Sequence, residues 1–424
     1  MTKVWHVWPV LVLLILTGPL AQAQNRNDAV AERAETLIEA ERYSEARDLL
    51  IEPARNNNAL AQALLARLYE RGWGVPQDFT QAARLNRAAA STGNPMALNA
   101  LARAHAEGLG VEQDRERAML LFAQAAQSGE PRYQSDFAVA LETGLGSEGD
   151  PAQAVTWYER AAEQGYVPAV TSLGVLYLEG SGVDRDPAMA MALFEQAAAE
   201  GDPRAQNNLG LIFVRGEDVE RDYDRAFVLF QSAADQGLQA GLNNLSVMYE
   251  NGFGVAVDEA RSRELLAEGR RVGGLSLQSR LQEIGIPFDQ RIVPDDWTRA
   301  PQPSERIAAN NGDPVSLYRM AWRELHGYGV RQDIPSGIAK LEILAGQGLS
   351  SARLLLGLIH ANGLGVPQDF AESYVWLSLA AHAGSPIAPG IRDELAMQLP
   401  PAVVAQSQAR VQSYLAERNG EVSP

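Results

Sequence analysis

The sequence predicts an all-α fold: an α/α solenoid, wound as a right-handed superhelix, of about eight to nine two-helix repeats with capping helices at both ends. Three observations lead there. A glycine recurs every 36 residues, at Gly72, Gly108, Gly144, Gly180, Gly216 and Gly252, and the motif returns at Gly327 and Gly363. Six residues after each of these glycines stands an aspartate: Asp78, Asp114, Asp150, Asp186, Asp222, Asp258, Asp333 and Asp369. A pair of alanines, from Ala89-Ala90 to Ala380-Ala381, closes the second helical pattern in six of the units. Self-similarity of this length marks small helical units that bury their apolar faces only by stacking.

Taken in order, residues 1–23 read as a secretory signal peptide. Lys3 supplies the positive start, an apolar run follows, and Ala21-Gln22-Ala23 places small residues where a signal peptidase reads. The run from Val7 to Leu20 is broken by Pro9, Gly18 and Pro19, and it falls short of the roughly 20 apolar residues of a spanning helix. Cleavage after Ala23 is therefore expected, with retention as an anchor the alternative. Residues 24–58 are expected to form an N-terminal capping helix pair, since end units need one polar face. Residues 59–273 hold six repeats, and residues 313–384 hold two more. Between them, 274–312 reads as a degenerate repeat carrying a Pro-rich insertion at 286–304, with Asp295 and Trp297 in it; a plain linker is the other reading. Residues 385–424 are expected to supply C-terminal capping helices and a frayed tail.

Within a unit each residue type has a physical task. Ala169, Leu173 and Tyr177 recur by four and share one face of a first helix. Gly180 fits the left-handed conformation that ends that helix, and Gly182 keeps the turn tight. The aspartate then precedes the second helix, where its carboxylate can accept the exposed amides of the first turn, worth about 1 kcal/mol per cap. A row of calcium ligands is the rival reading, and no D-x-D-x-D-G spacing supports it. The alanine pair lets the next helix approach, so Ala198→Leu would overpack at a cost of about 1–3 kcal/mol.

The words Leu173-Gly174-x-x-Tyr177-x-x-Gly180-x-Gly182-Val183 and Trp157-Tyr158-x-x-Ala161-Ala162-x-x-Gly165 closely resemble the Sel1-like repeat, a branch of the tetratricopeptide superfamily. The resemblance implies an α/α solenoid that binds other proteins, and it implies no catalytic residue. Departures occur: Asp218 replaces the second turn glycine in the fifth unit, and His105 and His360 replace the tyrosine. Some exported members clamp their helix pairs with disulfides. This chain has no cysteine, so β-lactam or penicillin binding seen among such members does not carry over.

Chemistry is sparse. The absence of cysteine excludes disulfides, thiolate metal sites and thiol nucleophiles. No G-x-S-x-G, H-E-x-x-H or G-K-[ST] spacing is present after residue 23, and the scattered histidines read as packed rings rather than metal ligands. No cofactor and no metal are expected. A net charge of -17 argues against nucleic acid and anionic membranes as partners.

In related arrays the first helices line the concave side. By phase, the inward positions are Ala63, Asn99, Ser135, Thr171, Asn207, Asn243, Tyr318 and Leu354, then Arg67, Arg103, Val139, Val175, Leu211, Val247, Trp322 and Leu358. Asn99, Arg103, Asn207, Asn243, Tyr318 and Trp322 are thus the candidate partner contacts, with Trp297 a further one on the insertion. Asparagines would bond a partner's backbone and the aromatics would anchor it; the bland alternative is solvated or packed helix positions. The expected role is an exported scaffold or adaptor, periplasmic or secreted, that binds proteins of a bacterial-type envelope and bears on a membrane sensor or on envelope assembly. No membrane insertion is expected after signal cleavage. The alternative is a peptidoglycan-acting or other hydrolytic enzyme that uses the 286–304 insertion.

Overall fold

The computed structural model describes residues 26–146, 148–272 and 300–418, and all regular structure among them is helical. The helices in chain order are α1 (26–39), α2 (Tyr43–Arg55), α3 (Ala59–Arg71), α4 (Phe79–Ala90), α5 (Pro95–Glu107), α6 (Arg115–Ala126) and α7 (Pro131–Glu142). Then come α8 (Pro151–Glu163), α9 (Val167–Glu179), α10 (Pro187–Ala199), α11 (Pro203–Arg215), α12 (Tyr223–Asp235), α13 (Gln239–Asn251) and α14 (Glu259–Val272). After residue 300 follow α15 (Pro303–Asn310), α16 (Pro314–His326), α17 (Ile334–Gln347), α18 (Ser350–Asn362), α19 (Phe370–His382), α20 (Ala388–Gln398) and α21 (Pro401–Arg418). Paired helices repeat along the chain as an α/α solenoid. The leader, Asp295 and Trp297 lie outside the described residues.

The repeated aspartates are caps. Each of the eight carboxylates accepts the amide three residues on, from Asp78 with Gln81 N to Asp369 with Glu372 N, at 2.8–3.0 Å. That satisfies one of the amides left open at each helix start. The second turn glycine answers to a close approach. Gly182 has φ +73°, and a Cβ there would lie 2.3 Å from the carbonyl carbon of Pro151, the first residue of α8. Gly74, Gly110, Gly146 and Gly254 abut the first residue of the preceding second helix in the same way. These five turns therefore rest on the helix start one unit back, which only a residue without a side chain allows.

The first member of every alanine pair is buried, and Ala126 and Ala234 are buried beside theirs. Ala197 is buried, and Ala198, half-buried, packs against the same core, so a larger side chain is met at both positions and most fully at Ala197. The packing it serves is a helix crossing at close range, where Gly241 of α13 comes up against Ala233 of α12.

Two units divide the described chain. One comprises 114–272 and 358–368, and its core runs through Val170, Phe194, Leu209, Phe230, Leu242, Met248 and Leu265. The other comprises 26–113, 300–357 and 369–418. In it, Ala34, Leu50, Leu64 and Leu68 pack α1–α3 together, while Val375, Leu379 and Val411 join α19 to α21.

This second unit also brings chain ends together. Tyr374 Oη donates to Gln77 Oε1 at 2.5 Å and accepts from Gln408 Nε2 at 2.9 Å. Gln77 Nε2 donates to the Glu70 carbonyl at 2.8 Å and to Asp393 Oδ1 at 3.2 Å. Arg392, 1% exposed, donates from Nη2 to the Arg71 carbonyl at 2.9 Å. A cation is favourable there, because the C-terminal end of α3 carries the negative pole of its dipole. Gln408 Oε1 accepts from the Phe79 amide at 3.1 Å. Burial pushes the Tyr374 hydroxyl up to about 12, so it stays a donor throughout the physiological range.

Candidate functional site

Helices α7, α9, α11 and α13 are the first helices of four successive repeats in the unit of residues 114–272. Their 36-residue phase places equivalent residues at equivalent heights. Ser135, Thr171 and Asn207 are buried and Asn243 is half-buried. They lie between neighbours rather than on an open face. Thr171 Oγ1 donates to Asp202 Oδ1, the cap of α11, at 3.1 Å, and Asn207 Oδ1 accepts from Asn244 Nδ2 on α13 at 2.8 Å.

This corrects part of the sequence reading. Asn99 and Asn207 are buried, and so are Tyr318, at 0% exposure, and Trp322. The reason is steric. Consecutive first helices pack side by side, and the residue two beyond the small Ala169-type position faces the neighbouring helix. Trp322 stacks instead within its own turn, its ring 4.1 Å from that of His326, which in turn stacks on Tyr328 at 5.3 Å. Leu354 and Leu358 are core residues. Of the named contacts, Arg103 is exposed, on α5 in the other unit, and Asn243 is half open.

What remains open is the row three to four residues further along. Val139 and Val247 are each 45% exposed, and Val175 and Leu211 between them are half-buried. Beside that apolar row runs a polar one of half-buried Asp136, Ser172, Asn208 and Asn244. The sequence reading passed over it, although the doublet Asn207-Asn208 signals it: Asn207 is buried between helices and Asn208 is half open. Amides and hydroxyls here can bond a polypeptide backbone, and the aliphatic row can bury apolar side chains.

The row has one deep point. A cleft of about 330 Å³ opens among Val175, Leu178, Asn208, Leu211 and Arg215, with Arg185 and Asp218 at its side. It coincides with the turn that lacks the second glycine. Arg185 Nη2 donates to Asp218 Oδ2 at 2.9 Å across it. An aspartate side chain could not enter a contact as close as the one Gly182 makes with Pro151, and the cleft lies beside the turn where Asp218 stands. Among the described residues no group of three histidines and acids is placed to hold a metal ion, and no helix is long and apolar enough to cross a membrane.

Comparison with known proteins agrees with this architecture. The Sel1 repeat model matches eight times, at residues 59–94, 95–130, 134–166, 167–202, 203–238, 239–269, 314–339 and 350–385, which is more than half of the chain. No curated protein sequence matches it. A crystal structure of a Sel1 repeat protein from Oxalobacter formigenes is 27% identical, covers 58% of this chain and 99% of its own, and superposes with a TM-score of 0.54. A protective antigen of uropathogenic Escherichia coli displaying an SLR fold is 23% identical over 95% of this chain and 88% of its own, with a TM-score of 0.49. An immunity protein from Pseudomonas aeruginosa is 21% identical over 50% of this chain and 81% of its own, with a TM-score of 0.36. The chain belongs to the Sel1 repeat family. Proteins built of these repeats generally mediate protein–protein interaction.

Proposed function

We propose that the chain is an exported adaptor that holds a partner protein along the open face of α7, α9, α11 and α13. The observation that carries this reading is the aliphatic row Val139, Val175, Leu211 and Val247, exposed at its two ends and half-buried between them, with amides and hydroxyls beside it. A row of large apolar side chains left in water by a folded domain is what a partner would cover. The leader pattern of residues 1–23 supports export, and with it a place in the periplasm or outside the cell. The partner is then an envelope protein, and the adaptor bears on a membrane sensor or on envelope assembly.

Crosslinking in the native envelope, followed by identification of the captured protein, tests the reading. Val139→Asp with Val247→Asp places charge on the row without touching the core, so the double variant is expected to fold and to lose the crosslinked product. Wild-type yields of product from a folded double variant would refute the assignment of this face. Sequencing the N-terminus of the mature protein tests export, with Gln24 expected as the first residue.

A further inference from the structure

A second cleft, of about 360 Å³, lies in the unit that joins the two chain ends. Small side chains hollow it out. Ala82 and Ala83 of α4 and Ala100 and Ala104 of α5 line it, and Met397 of α20 stands at its mouth with 80% of its surface exposed. One repeat later, Met119 and Asp136 occupy the places of Ala83 and Ala100, so the hollow is particular to this repeat.

Four charges surround it: Glu70 and Arg71 from the end of α3, Arg103 and Glu107 from α5. No two of them form an ion pair within 4.0 Å, and Arg71, Arg103 and Glu107 make no side-chain hydrogen bond among the described residues. Glu70 accepts a single bond, from Asn86 Nδ2 at 2.8 Å. Burial holds both carboxyls above their ordinary range, while Arg103 pulls each of them down. Asp393, also on the wall, is already taken by Arg392 at 2.8 Å. Glu70 is half-buried, and Arg71, Arg103 and Glu107 stand on the exposed rim with no close ion pair or side-chain hydrogen bond to break, so a ligand entering the hollow can meet all four charges. A plain cation would meet two guanidiniums, and a plain anion would meet two carboxylates. A molecule bearing both signs meets neither objection.

We propose that this cleft binds a short zwitterionic peptide. The α-carboxylate lies against Arg71 and Arg103, the ammonium against Glu70 and Glu107, and small aliphatic side chains rest on the alanine floor. The volume falls at the lower end of ligand pockets, about 300–1,000 Å³, which suits a dipeptide or tripeptide. The site shares no residue with the face proposed for the partner protein, so each stands or falls alone.

Calorimetric titration of the full-length mature protein with alanyl-alanine tests the proposal, with N-acetyl-alanyl-alanine and alanyl-alanine amide as controls. The free dipeptide is expected to bind, and each capped form to bind at least about tenfold more weakly, because each cap removes one charge-assisted contact. Arg103→Met and Glu107→Gln, both on an exposed rim, are expected to produce similar losses with the protein still folded. Ala83→Met is expected to abolish binding by filling the floor. No binding of alanyl-alanine to the wild-type protein would overturn the proposal, and so would equal binding of the capped forms or undiminished binding by Arg103→Met.

Discussion

Gly174 offers a sharp test of how the repeats are packed. The ring of Phe194, fully buried on α10, lies directly over it, and a Cβ built at Gly174 would sit 2.7 Å from Cε1 and 3.0 Å from Cδ1. Carbon atoms in contact settle at about 3.5–4.0 Å, so the added methyl overlaps the ring by roughly 1 Å. Overpacking of this kind costs about 1–3 kcal/mol. Replacing glycine by alanine inside a helix returns about 1 kcal/mol of backbone entropy. Gly174→Ala is therefore expected to destabilise by up to about 2 kcal/mol in the wild-type background. In a Phe194→Leu background the ring is gone and the helix gain appears, so the same change becomes neutral or stabilising by up to about 1 kcal/mol. The cycle should close with a coupling of about 2 kcal/mol, well above the roughly 0.5 kcal/mol scatter of independent sites. Urea unfolding of the four proteins, followed by far-UV circular dichroism, measures it. A stabilising Gly174→Ala in the wild-type background, or a coupling inside that scatter, would refute the argument. Gly210 under Phe230 has the same 2.7 Å geometry and should behave alike.

Two further outcomes follow from single side chains. Burial raises the Glu70 pKa, so the native carboxyl keeps its proton to higher pH than the unfolded one; its contribution is complete below the ordinary carboxylate range and is lost as pH rises through the native pKa. Glu70→Gln keeps an acceptor for Asn86 and removes the charge, so its thermal midpoint should exceed wild type at about pH 7 and match it at about pH 4; a midpoint no higher than wild type at the upper pH contradicts this. Asp218→Gly removes a surface ion pair worth less than about 1 kcal/mol. A crystal structure of that variant should show a left-handed residue 218 seated against Pro187 and a smaller cleft beside Leu211; an unchanged cleft would show that the aspartate does not hold it open.

Legibility in the sequence followed the strictness of the spacing. Eight aspartates at one phase announced eight caps, because a cap is a local event settled within three residues. Gly174, beside Leu173 in the repeat word, leaves room for a neighbouring helix, and the ring of Phe194 takes it. The face for binding was less readable. Asn207 and Asn208 are the same residue type one position apart, and a turn of about 100° between them puts one under the neighbouring helix and one beside the solvent. Periodicity alone fixes a helix face only to about that angle, so Tyr318 and Trp322 read as open anchors when they are packed. Of the charges around the second cleft only Arg103 was singled out by its phase, and the cleft itself was not legible. Glu70 and Met397 are more than 300 residues apart in the chain, and no repeat period relates them.

Contacts in a stacked array mostly join neighbours in sequence, so each piece settles soon after it is made. The seam in the unit that holds the chain ends is of another kind: Tyr374 reaches Gln77 across 297 residues, Arg392 reaches Arg71 across 321, and Gln408 reaches Phe79 across 329. The opening turn of the array thus stays unlatched until the final helices exist, and a premature stop before α20 would leave damage at the beginning of the molecule as well as at its end.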